Sequence, residues 1–416
     1  MLYNRWRQIA QERGAEIALH DVASNGQWTF AELAQVTENG LPDSSPVAYP
    51  HGISADFIFM VLRAWRNGQV VCPLETGQDP PAVPPPPRHI VHLKTTSATT
   101  GAPRVIAFTA SQLTADVENI AATMGLRPEW PNIGVISLAH SYGFSNLVLP
   151  LLLEGIPLVL PGSPLPEVVR KIVNQIGPCV IPAVPALWRA WHEANAIAPN
   201  IRLAISAGAP LPLPLETTAF AATGIKIRNF YGASETGGLA FDSSAAPRTD
   251  GDCAGLPLQN VRLTTDEAGR LQVRSRAVAE GYWPEPSADL GTGYFQTSDL
   301  AELIRGQVYL RGRASDLINV AGRKVAPETI EAALRNHPEV RECLVFGVQT
   351  NQGERTETIV ACVSTRSSVS PATLKEFLSQ RLPAWQVPRE WKFEDLETNA
   401  RGKLSRAEWR RKWQHE

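Results

Sequence analysis

Short runs of Val, Ile and Leu alternate with segments of helical spacing through the first half of the chain, and this pattern constrains the fold most strongly. Apolar runs without a polar face are typical of strands buried on both sides, as in parallel sheets covered by helices. Helical spacing occurs at 110–124 and 165–176. Buried strands are predicted at 91–93, 133–138, 157–160, 179–181 and 203–206. The sequence therefore predicts an α/β sheet with crossover helices.

The pattern changes to short alternating strands from about residue 261. Residues 271–274 and 303–310 fit this pattern, and the second of these segments is predicted to be a hairpin that turns at Arg305-Gly306. Such strands suit a small antiparallel, β-barrel-like subdomain at about 255–313. The large N-terminal α/β region is therefore predicted to cover 1–313.

A third pattern begins after Arg313. Helices are predicted at 328–335 and at 371–381, the latter with Ser370 as its N-cap. Strands are predicted at 343–348 and 358–364. These elements indicate a separate α+β C-terminal domain at 314–416.

Charge and cysteine spacing exclude several classes of protein. The chain has 39 Lys and Arg against 41 Asp and Glu, a net charge of −2, which argues against a nucleic-acid or membrane-surface binder. The five cysteines form no C-x-x-C pair, so a zinc module is excluded and a disulfide framework is not expected. The most apolar stretch, 147–160, is interrupted by prolines and a glutamate and is too short to span a bilayer. We therefore expect a soluble, cytoplasmic protein.

A run of hydroxyl side chains follows the predicted strand at 91–93 and ends in a cation. Its sequence is Thr95-Thr96-Ser97-Ala98-Thr99-Thr100-Gly101-Ala102-Pro103-Arg104. Hydroxyls, a glycine that lets the backbone approach closely and a terminal cation suit an oxyanion-rich group such as a triphosphate. The chain contains no Walker A motif.

Three further segments place aromatic, hydroxyl and acidic side chains near glycines. They are Asn229-Phe230-Tyr231-Gly232-Ala233-Ser234-Glu235-Thr236-Gly237-Gly238, Gly293-Tyr294-Phe295-Gln296-Thr297-Ser298-Asp299 and Arg311-Gly312-Arg313-Ala314-Ser315-Asp316. With the hydroxyl run and a terminal Arg401-Gly402-Lys403, these segments resemble, in order, the motifs of the adenylate-forming acyl-CoA synthetase superfamily. This family includes acyl- and aryl-CoA ligases, adenylation domains of peptide synthetases and luciferases. The resemblance covers nearly the whole chain.

The resemblance implies a two-step reaction that requires ATP and Mg²⁺. A carboxylate attacks the α-phosphate of ATP to give an acyl-adenylate and pyrophosphate, and a thiol then displaces AMP. Negative charge gathers at the α-phosphate while another anion approaches, so catalysis requires cations and oriented amides. The thiol is that of CoA or, alternatively, the phosphopantetheine of an acyl carrier protein. The resemblance also implies that the C-terminal domain is mobile.

Roles for individual residues also follow from the resemblance. The phosphate loop is expected to comprise Thr96, Ser97, Thr99, Thr100, Gly101 and Arg104, with Arg104 where the family usually has Lys. The adenine side is expected to comprise Gly208, Ala209, Pro210 and Tyr231, with Tyr231 stacked on the base. Gly232 and Ser234 are also expected to bind the cofactor, with Ser234 where the family usually has Thr. Glu235 is the expected Mg²⁺ ligand, and Asp299, helped by Arg313, is expected to bind the ribose hydroxyls.

Two residues belong to the expected movement of the C-terminal domain. By resemblance, Lys403 bridges the carboxylate and the α-phosphate during adenylation and is withdrawn for the second step. Ser315 occupies the hinge position, where the family usually has Asp or Lys.

The acyl pocket is expected to be walled by a segment around His140. The expected pocket residues are His140, Tyr142, Phe144, Val184 and Gly237, with a catalytic, substrate-gating role for His140. An amino acid substrate would need a buried acid to pair with its ammonium, and the segment 140–146 contains none. The sequence therefore predicts an aryl or fatty acid substrate.

Two departures from the family motivate an alternative. Ala98 stands where the phosphate loop usually has Gly, which restricts the backbone there. The join between residues 74 and 90, which contains a stiff proline run at 80–87, is shorter than usual for the family. A catalytically degenerate nucleotide-binding scaffold is therefore a second hypothesis beside the ligase.

Overall fold

A computed structural model describes residues 1–39, 45–96, 104–349, 357–396 and 404–414. The described helices are α1 (Leu2–Glu12), α2 (Phe30–Glu38), α3 (Ala55–Asn67), α4 (Ala110–Met124), α5 (Ser141–Gly143), α6 (Leu149–Glu154), α7 (Pro166–Ile176), α8 (Pro185–Glu193), α9 (Leu213–Thr223), α10 (Pro327–Arg335), α11 (Pro371–Ser379) and α12 (Arg406–Gln414). A π-helical segment, Phe144–Val148, joins α5 to α6, and a 3₁₀ turn covers Ala384–Gln386.

The strands of the N-terminal region precede those of the C-terminal region along the chain. The first are β1 (Ile17–Asp21), β2 (Gly26–Thr29), β3 (Val47–Ala48), β4 (Val70–Val71), β5 (Ile90–Thr95), β6 (Val105–Thr109), β7 (Asn132–Ile133), β8 (Leu158–Leu160), β9 (Cys179–Ala183), β10 (Ile201–Ser206), β11 (Ile227–Ala233), β12 (Gly237–Phe241), β13 (Cys253–Pro257), β14 (Arg262–Thr265), β15 (Arg270–Arg274), β16 (Gly281–Trp283), β17 (Leu290–Gly291), β18 (Tyr294–Ile304) and β19 (Gln307–Arg313). The others are β20 (Ile318–Val320), β21 (Arg323–Val325), β22 (Val340–Gln349), β23 (Glu357–Thr365) and β24 (Glu390–Phe393).

A large mixed sheet organises the N-terminal region. Its order is β14-β15-β18-β19-β13-β12-β11-β10-β9-β7-β8-β1-β2, with β17 attached to β18. Strands β8, β7, β9, β10 and β11 run parallel, and the pairs from β11 onward through β12, β13 and β19 are antiparallel. Four of the five predicted buried segments supply β7, β8, β9 and β10 of the parallel half, and the helix predicted at 165–176 connects β8 to β9, so the prediction of an α/β fold is confirmed. The fifth segment, at 91–93, lies in β5 of another sheet.

A second sheet of five strands, in the order β16-β6-β5-β4-β3, packs beside the first. The proline run lies between β4 and β5 without helix or strand. The carbonyl of Pro84 accepts a hydrogen bond from Trp283 Nε1 of β16 at 2.7 Å. The proline run therefore connects β4 to β5, and this hydrogen bond joins it to β16, an edge strand of the same sheet.

The strands after residue 261 are antiparallel, as predicted, but among the described strands they form no closed barrel. They extend the large sheet through β19, β18, β15 and β14. The predicted turn joins β18 to β19, and Arg305 and Gly306 have φ of 52° and 81°. Positive φ at both central residues is the backbone of a tight hairpin turn.

The predicted strand at 133–138 is wrong beyond Ile133. The hydroxyl of Ser137 accepts hydrogen bonds from the backbone N–H groups of Ala139 and His140, at 3.2 and 3.4 Å. Local side-chain acceptors of this kind compete with strand pairing. The chain therefore leaves the sheet and starts helix α5 at Ser141.

The two largest of the four hydrophobic clusters in the described chain lie in its N-terminal and C-terminal parts. The larger core contains the fully buried Trp6, Phe30, Phe57 and Trp188 and extends to Val308 of β19. The smaller begins at Ile318 and is closed by α10, α11 and the sheet β22-β23-β24. Ser370 caps α11 as predicted, accepting from the Thr373 N–H at 3.1 Å. The boundary at 313/314 stays a prediction.

The described residues contain neither a disulfide bond nor a helix that could span a membrane. Cys72, Cys179, Cys253, Cys343 and Cys362 are all buried and free of disulfides. Across the ranges given above, no helix combines the length and the apolar character that crossing a bilayer requires.

Candidate active site

Several predicted site residues follow the carboxyl ends of neighbouring parallel strands. Val184 follows β9, the segment Gly208-Ala209-Pro210 follows β10, and Ser234 follows β11. The carboxyl ends of parallel strands meet at one edge of a sheet, where α/β proteins bind ligands. Gly208 has a φ of 85°, a left-handed conformation that lets this exposed segment turn sharply after β10. The sheet thus brings these segments to a common edge.

Tyr231, Asp299 and Arg313 are joined directly. The Tyr231 hydroxyl donates to Asp299 Oδ2 at 2.5 Å, and Arg313 Nε donates to Oδ1 at 2.9 Å. Asp299 and Arg313 are paired residues on β18 and β19. Burial and the Asp299 charge raise the pKa of Tyr231, and the same carboxylate raises the pKa of Arg313. Each carboxylate oxygen keeps a free lone pair, so Asp299 can still accept from ligand hydroxyls.

Glu235 lies at the tip of the β11–β12 hairpin, between Ser234 and Gly237. Its Oε1 accepts from the Tyr282 hydroxyl at 3.0 Å, and the Arg104 guanidinium lies 4.9 Å from the centre of the Tyr282 ring. Burial raises the pKa of Glu235, the Asp299 charge raises it further, and the Tyr282 hydrogen bond and Arg313 oppose this rise. These interactions link Glu235 electrostatically to the Tyr231, Asp299 and Arg313 group.

The phosphate-loop prediction is described only at its two ends. Thr96 and Arg104 close the base of the loop: the Thr96 N–H donates to the Arg104 carbonyl at 2.8 Å, and the Arg104 N–H donates to Thr96 Oγ1 at 3.1 Å. Ser97, Thr99, Thr100 and Gly101 lie outside the described residues, as does Lys403.

Gly232 is explained by the close approach of two strands. A Cβ on Gly232 would lie 2.5 Å from the Gly237 carbonyl oxygen. Because real Cβ atoms do not approach so closely, a side chain at this position would displace the hairpin that carries Glu235. Gly232 thereby supports the position of Glu235 through the backbone.

Of the predicted pocket residues, His140 and Tyr142 lie at the start of helix α5, and Phe144 follows in the π-helical segment. His140 Nδ1 accepts from the Tyr142 N–H at 3.3 Å and caps helix α5. The Tyr142 hydroxyl lies 3.4 Å from the carbonyls of Ala183 and Ile205, at the ends of β9 and β10. Burial raises the pKa of Tyr142 well above its ordinary value. Phe144 is fully buried against His92, with ring centres 4.4 Å apart.

Gly237 packs against an acid that the sequence motifs did not single out. Asp116 of α4 accepts from the Gly238 N–H at 3.0 Å and from the Ser145 hydroxyl at 2.6 Å. Gly237 has a φ of 72°, and a Cβ there would lie 1.9 Å from Asp116 Oδ1. The absence of a side chain at Gly237 therefore leaves room for the Asp116 carboxylate. Burial raises the pKa of Asp116.

Two of the residues missed by motif comparison leave a signal in the sequence. Asp116 occupies a position on the apolar face of α4, beside Leu113 and Ile120 at helical spacing. Lys94 interrupts the apolar strand β5. A charge at a position that periodicity assigns to the core indicates a buried polar group. Tyr282 has no such signal.

Ser315 is exposed and donates to Asp316 Oδ1 at 3.2 Å. The other oxygen of Asp316 lies 3.0 Å from Arg406 Nη1, and the same guanidinium pairs with Glu328 at 2.7 Å and Glu331 at 2.8 Å. The residue after the predicted hinge is thus fixed to the C-terminal domain.

A single carboxylate in this site suits Mg²⁺. The described residues contain no group of three or more His, Cys, Asp or Glu side chains arranged to hold a metal. Mg²⁺ usually takes one or two protein carboxylates and completes its octahedron with water and phosphate oxygens. Glu235, with its second oxygen not engaged by Tyr282, fits this requirement.

Comparison with known proteins agrees with the arrangement. A probable 2-succinylbenzoate–CoA ligase of Mycobacterium tuberculosis is 30% identical over 71% of this chain and 77% of its own. An anthranilate–CoA ligase of Pseudomonas aeruginosa is 29% identical over 97% and 81%. The Bacillus subtilis O-succinylbenzoate coenzyme A synthetase, in complex with ATP and magnesium ion, shares the fold with a TM-score of 0.83 at 21% identity, over 97% of this chain and 98% of that one.

The family models match both parts of the chain. Residues 7–283 match the AMP-binding enzyme model, and residues 329–403 match the AMP-binding enzyme C-terminal domain. The curated relatives are named as CoA ligases, so the predictions of an adenylate-forming family and of an AMP-forming acid–thiol ligase are confirmed. The match to the first model covers more than half of the sequence, and the chain therefore belongs to the AMP-binding enzyme family.

Proposed function

We propose that this chain adenylates an aryl acid with ATP and transfers the acyl group to CoA. The observation that carries this proposal is the joined set of Tyr231, Asp299 and Arg313 next to Glu235. A carboxylate that can accept from ribose hydroxyls, a cation beside it and a second carboxylate for Mg²⁺ are the groups that nucleotide activation requires.

The roles within this proposal follow from the contacts. Asp299 receives the ribose hydroxyls while Arg313 and Tyr231 fix its orientation, and the Tyr231 ring supports the base. Arg104 is proposed to contact the phosphates from its place over the Tyr282 ring, whose hydroxyl donates to Glu235. When bound, Mg²⁺ held by Glu235 would neutralise phosphate charge. Lys403, from the C-terminal domain, is proposed to bring a further cation to the reacting oxygens.

An aryl acid is favoured over an amino acid and over a long alkyl chain. Aromatic side chains lie near the predicted pocket, with the rings of Tyr142 on α5 and Phe230 on β11 5.9 Å apart. The segment 140–146 contains no acid to pair with the ammonium of an amino acid, and Asp116 is bound to Ser145 and to the Gly238 backbone. The two curated relatives described above are named for aromatic acids.

CoA is proposed as the acceptor because the curated relatives carry the name CoA ligase. The alternative, loading of an acyl carrier protein, uses the same phosphopantetheine arm. The acceptor therefore has to be determined with both thiols present in separate reactions.

The test is acid-dependent pyrophosphate release, followed by mass spectrometry of the thioester. Benzoates, cinnamates and fatty acids of several lengths are each supplied with ATP and Mg²⁺, then with CoA or with a phosphopantetheinylated carrier protein. We expect release with an aryl acid and formation of its CoA thioester. Absence of release with every acid would refute the ligase and leave the scaffold hypothesis. A thioester formed only on the carrier would correct the acceptor.

A further inference from the structure

The buried face of β5 carries two polar side chains, His92 and Lys94. Alternate residues of a strand share one face, and here both side chains point into the protein. Lys94 is 4% exposed and His92 is fully buried. Neither ring nitrogen of His92 has a hydrogen-bond partner among the described residues. Buried polar groups almost always have partners, so this face contains unused hydrogen-bonding capacity.

Lys94 has few polar contacts for a buried amino group. Its Nζ lies 3.3 Å from Ser141 Oγ and 4.4 Å from the centre of the Phe108 ring. No described carboxylate lies within ion-pair distance of it. An amino group has two or three N–H donors, and a single hydroxyl accepts only one of them. Burial also lowers the pKa of Lys94.

The neighbours of this face belong to the predicted acyl pocket. Ser141 directly precedes Tyr142, and Phe144 packs on the His92 ring. On the other side, Asp116 contacts the Gly237-Gly238 segment and influences Lys94 electrostatically. Lys94 therefore lies between the helix start and the β11–β12 hairpin, the two segments expected to hold the acid.

Lys94 lies on the buried side of the β11–β12 hairpin, although the charge of Glu235 still acts on it. Within the hairpin, Glu235 faces Tyr282 and Arg104, whereas Gly238 faces Asp116. Glu235 therefore lies at the phosphate end of the hairpin, and Gly238 lies at its buried end. Lys94 is near the buried end, because Asp116, which contacts Gly238, also acts on the Lys94 charge. The reacting carboxylate must approach the α-phosphate near Glu235, so Lys94 faces the part of the acid remote from it.

The charge balance favours a neutral partner for Lys94. Asp116 does not reach Lys94, yet its charge, like that of Glu235, opposes the loss of the Lys94 proton. A second substrate carboxylate would add another buried negative charge beside Asp116. A hydroxyl, ether or carbonyl oxygen satisfies the N–H donors without that cost, whereas a plain hydrocarbon leaves them unpaired.

We propose that Lys94 is a specificity-determining residue that selects acids with a neutral oxygen substituent in addition to the reacting carboxylate. This inference rests on the proposed ligase function and narrows it to hydroxy-, alkoxy- or oxo-substituted acids. Lys94 donates to the substituent from the wall of the pocket, and Ser141 orients the amino group.

The test compares matched acids in matched variants. The kcat/KM of pyrophosphate release is measured for benzoate and its 2-, 3- and 4-hydroxy derivatives with the wild type, Lys94→Met and the control Lys171→Met, which removes an exposed lysine from α7. The wild type should prefer at least one hydroxybenzoate by about tenfold or more, and Lys94→Met should reduce kcat/KM for that acid by about tenfold more than for benzoate, which abolishes the preference. Lys171→Met should behave as the wild type.

Two results would overturn the proposal. One is a wild type that turns over benzoate as well as every hydroxybenzoate. The other is an equal loss for all acids in Lys94→Met, which would indicate a role in folding or at the reacting carboxylate. If Lys94→Met does not fold, Ser141→Ala decides, because loss of the hydroxyl that orients the Lys94 amino group should weaken the preference for the hydroxybenzoate; an unchanged preference contradicts the proposal. No pyrophosphate release with any acid would instead mean failure of the ligase function itself.

Discussion

The Tyr231 hydroxyl lies 2.5 Å from Asp299 Oδ2, although the two residues are 68 positions apart in the sequence. Arg313 occupies the other oxygen of the same carboxylate. The three residues proposed for the nucleotide side are therefore joined through one carboxylate, and each of them can be tested separately.

Asp299→Asn should raise the KM for ATP with a smaller effect on kcat. The amide replaces one acceptor oxygen with a donor, so hydrogen bonds to the ribose and to Arg313 are weakened. Loss of a charged hydrogen bond costs about 1.5–3 kcal/mol, or roughly a 10- to 100-fold loss in kcat/KM. Pyrophosphate release at varied ATP measures this. Glu302→Gln, on the same strand but paired at the surface with Arg311, is the control. An unchanged KM for ATP in Asp299→Asn would contradict the assigned role.

Glu235→Gln should lower kcat/KM by about a hundredfold or more, because the amide keeps the shape but not the charge that attracts Mg²⁺. The variant should also need more Mg²⁺ for half-maximal rate. Titration of Mg²⁺ at fixed ATP measures both effects. The exposed Glu280, which pairs with Gln112 at 3.0 Å, provides the control Glu280→Gln. A normal Mg²⁺ dependence in Glu235→Gln would exclude this residue as the ligand.

Gly237→Ala should destabilise the protein more than Gly224→Ala. Both glycines have left-handed backbones, with φ of 72° and 71°, so an alanine at either costs about 1–2 kcal/mol of backbone strain. Only at Gly237 does the new Cβ collide with Asp116, whereas Gly224 faces open space. We expect a further loss of about 1–3 kcal/mol from that collision. Thermal or chemical unfolding measures the difference.

The collision between a Cβ at position 237 and Asp116 predicts that removing the Asp116 side chain will restore stability to Gly237→Ala. Asp116→Ala combined with Gly237→Ala should be more stable than the sum of the two single changes, since the double variant has room for the methyl group. Additive effects would show that the cost at Gly237 arises from its backbone alone.

Lys94→Met should change how stability depends on pH. Burial lowers the folded pKa of Lys94 below its ordinary 10.5, despite the opposing charges of Asp116 and Glu235, and His92 beside it adds no negative charge. Protonation therefore opposes folding. As the pH rises from the folded pKa towards 10.5, the wild type should gain stability relative to Lys94→Met, by about 1.4 kcal/mol for each pH unit between those two values. Denaturant unfolding between neutral and alkaline pH measures this, and a constant or falling difference would contradict it.

Lys403→Ala should abolish adenylation and leave thioester formation from supplied acyl-adenylate largely intact. The expected reason is that its ammonium stabilises the charge that develops only when the carboxylate attacks ATP. The two half-reactions are measured separately, by pyrophosphate release and by thioester yield. Lys412→Met, which changes an exposed lysine of α12, is the control. Equal loss of both half-reactions would argue against this role.

Much of the fold could be predicted because hydrophobic periodicity and capping are local. Helix α4 has the predicted bounds, and the Arg305-Gly306 turn lies where its residue types require. The end of the strand predicted at 133–138 is wrong, because the strand stops at Ile133 and the Ser137 hydroxyl accepts from Ala139 and His140 as the chain turns towards α5. Where the chain leaves the sheet depends on tertiary structure.

The site could be predicted only where residues belong to motifs. Motif order indicated Tyr231, Glu235 and Asp299, and the structure brings these into one electrostatic group. Tyr282 could not be found this way, since its contact with Glu235 spans 47 positions and no spacing rule connects them. The charge of Lys94 within an apolar strand was visible, but its neighbours depend on how β5 and α5 pack.

Tyr231 on β11 and Asp299 on β18 can touch only if the large sheet is curved, because these two strands are not neighbours in it. Three strands, β12, β13 and β19, separate β11 from β18, so a flat sheet would hold these strands about 19 Å apart. Their side chains meet, so the sheet must curl around the nucleotide side. An irregular register between Cys253 and Gly255 lies within this curve, and Gly255 has a φ of 99° against the Phe241 backbone. A glycine that touches no predicted ligand thus helps to set the width of the ATP site.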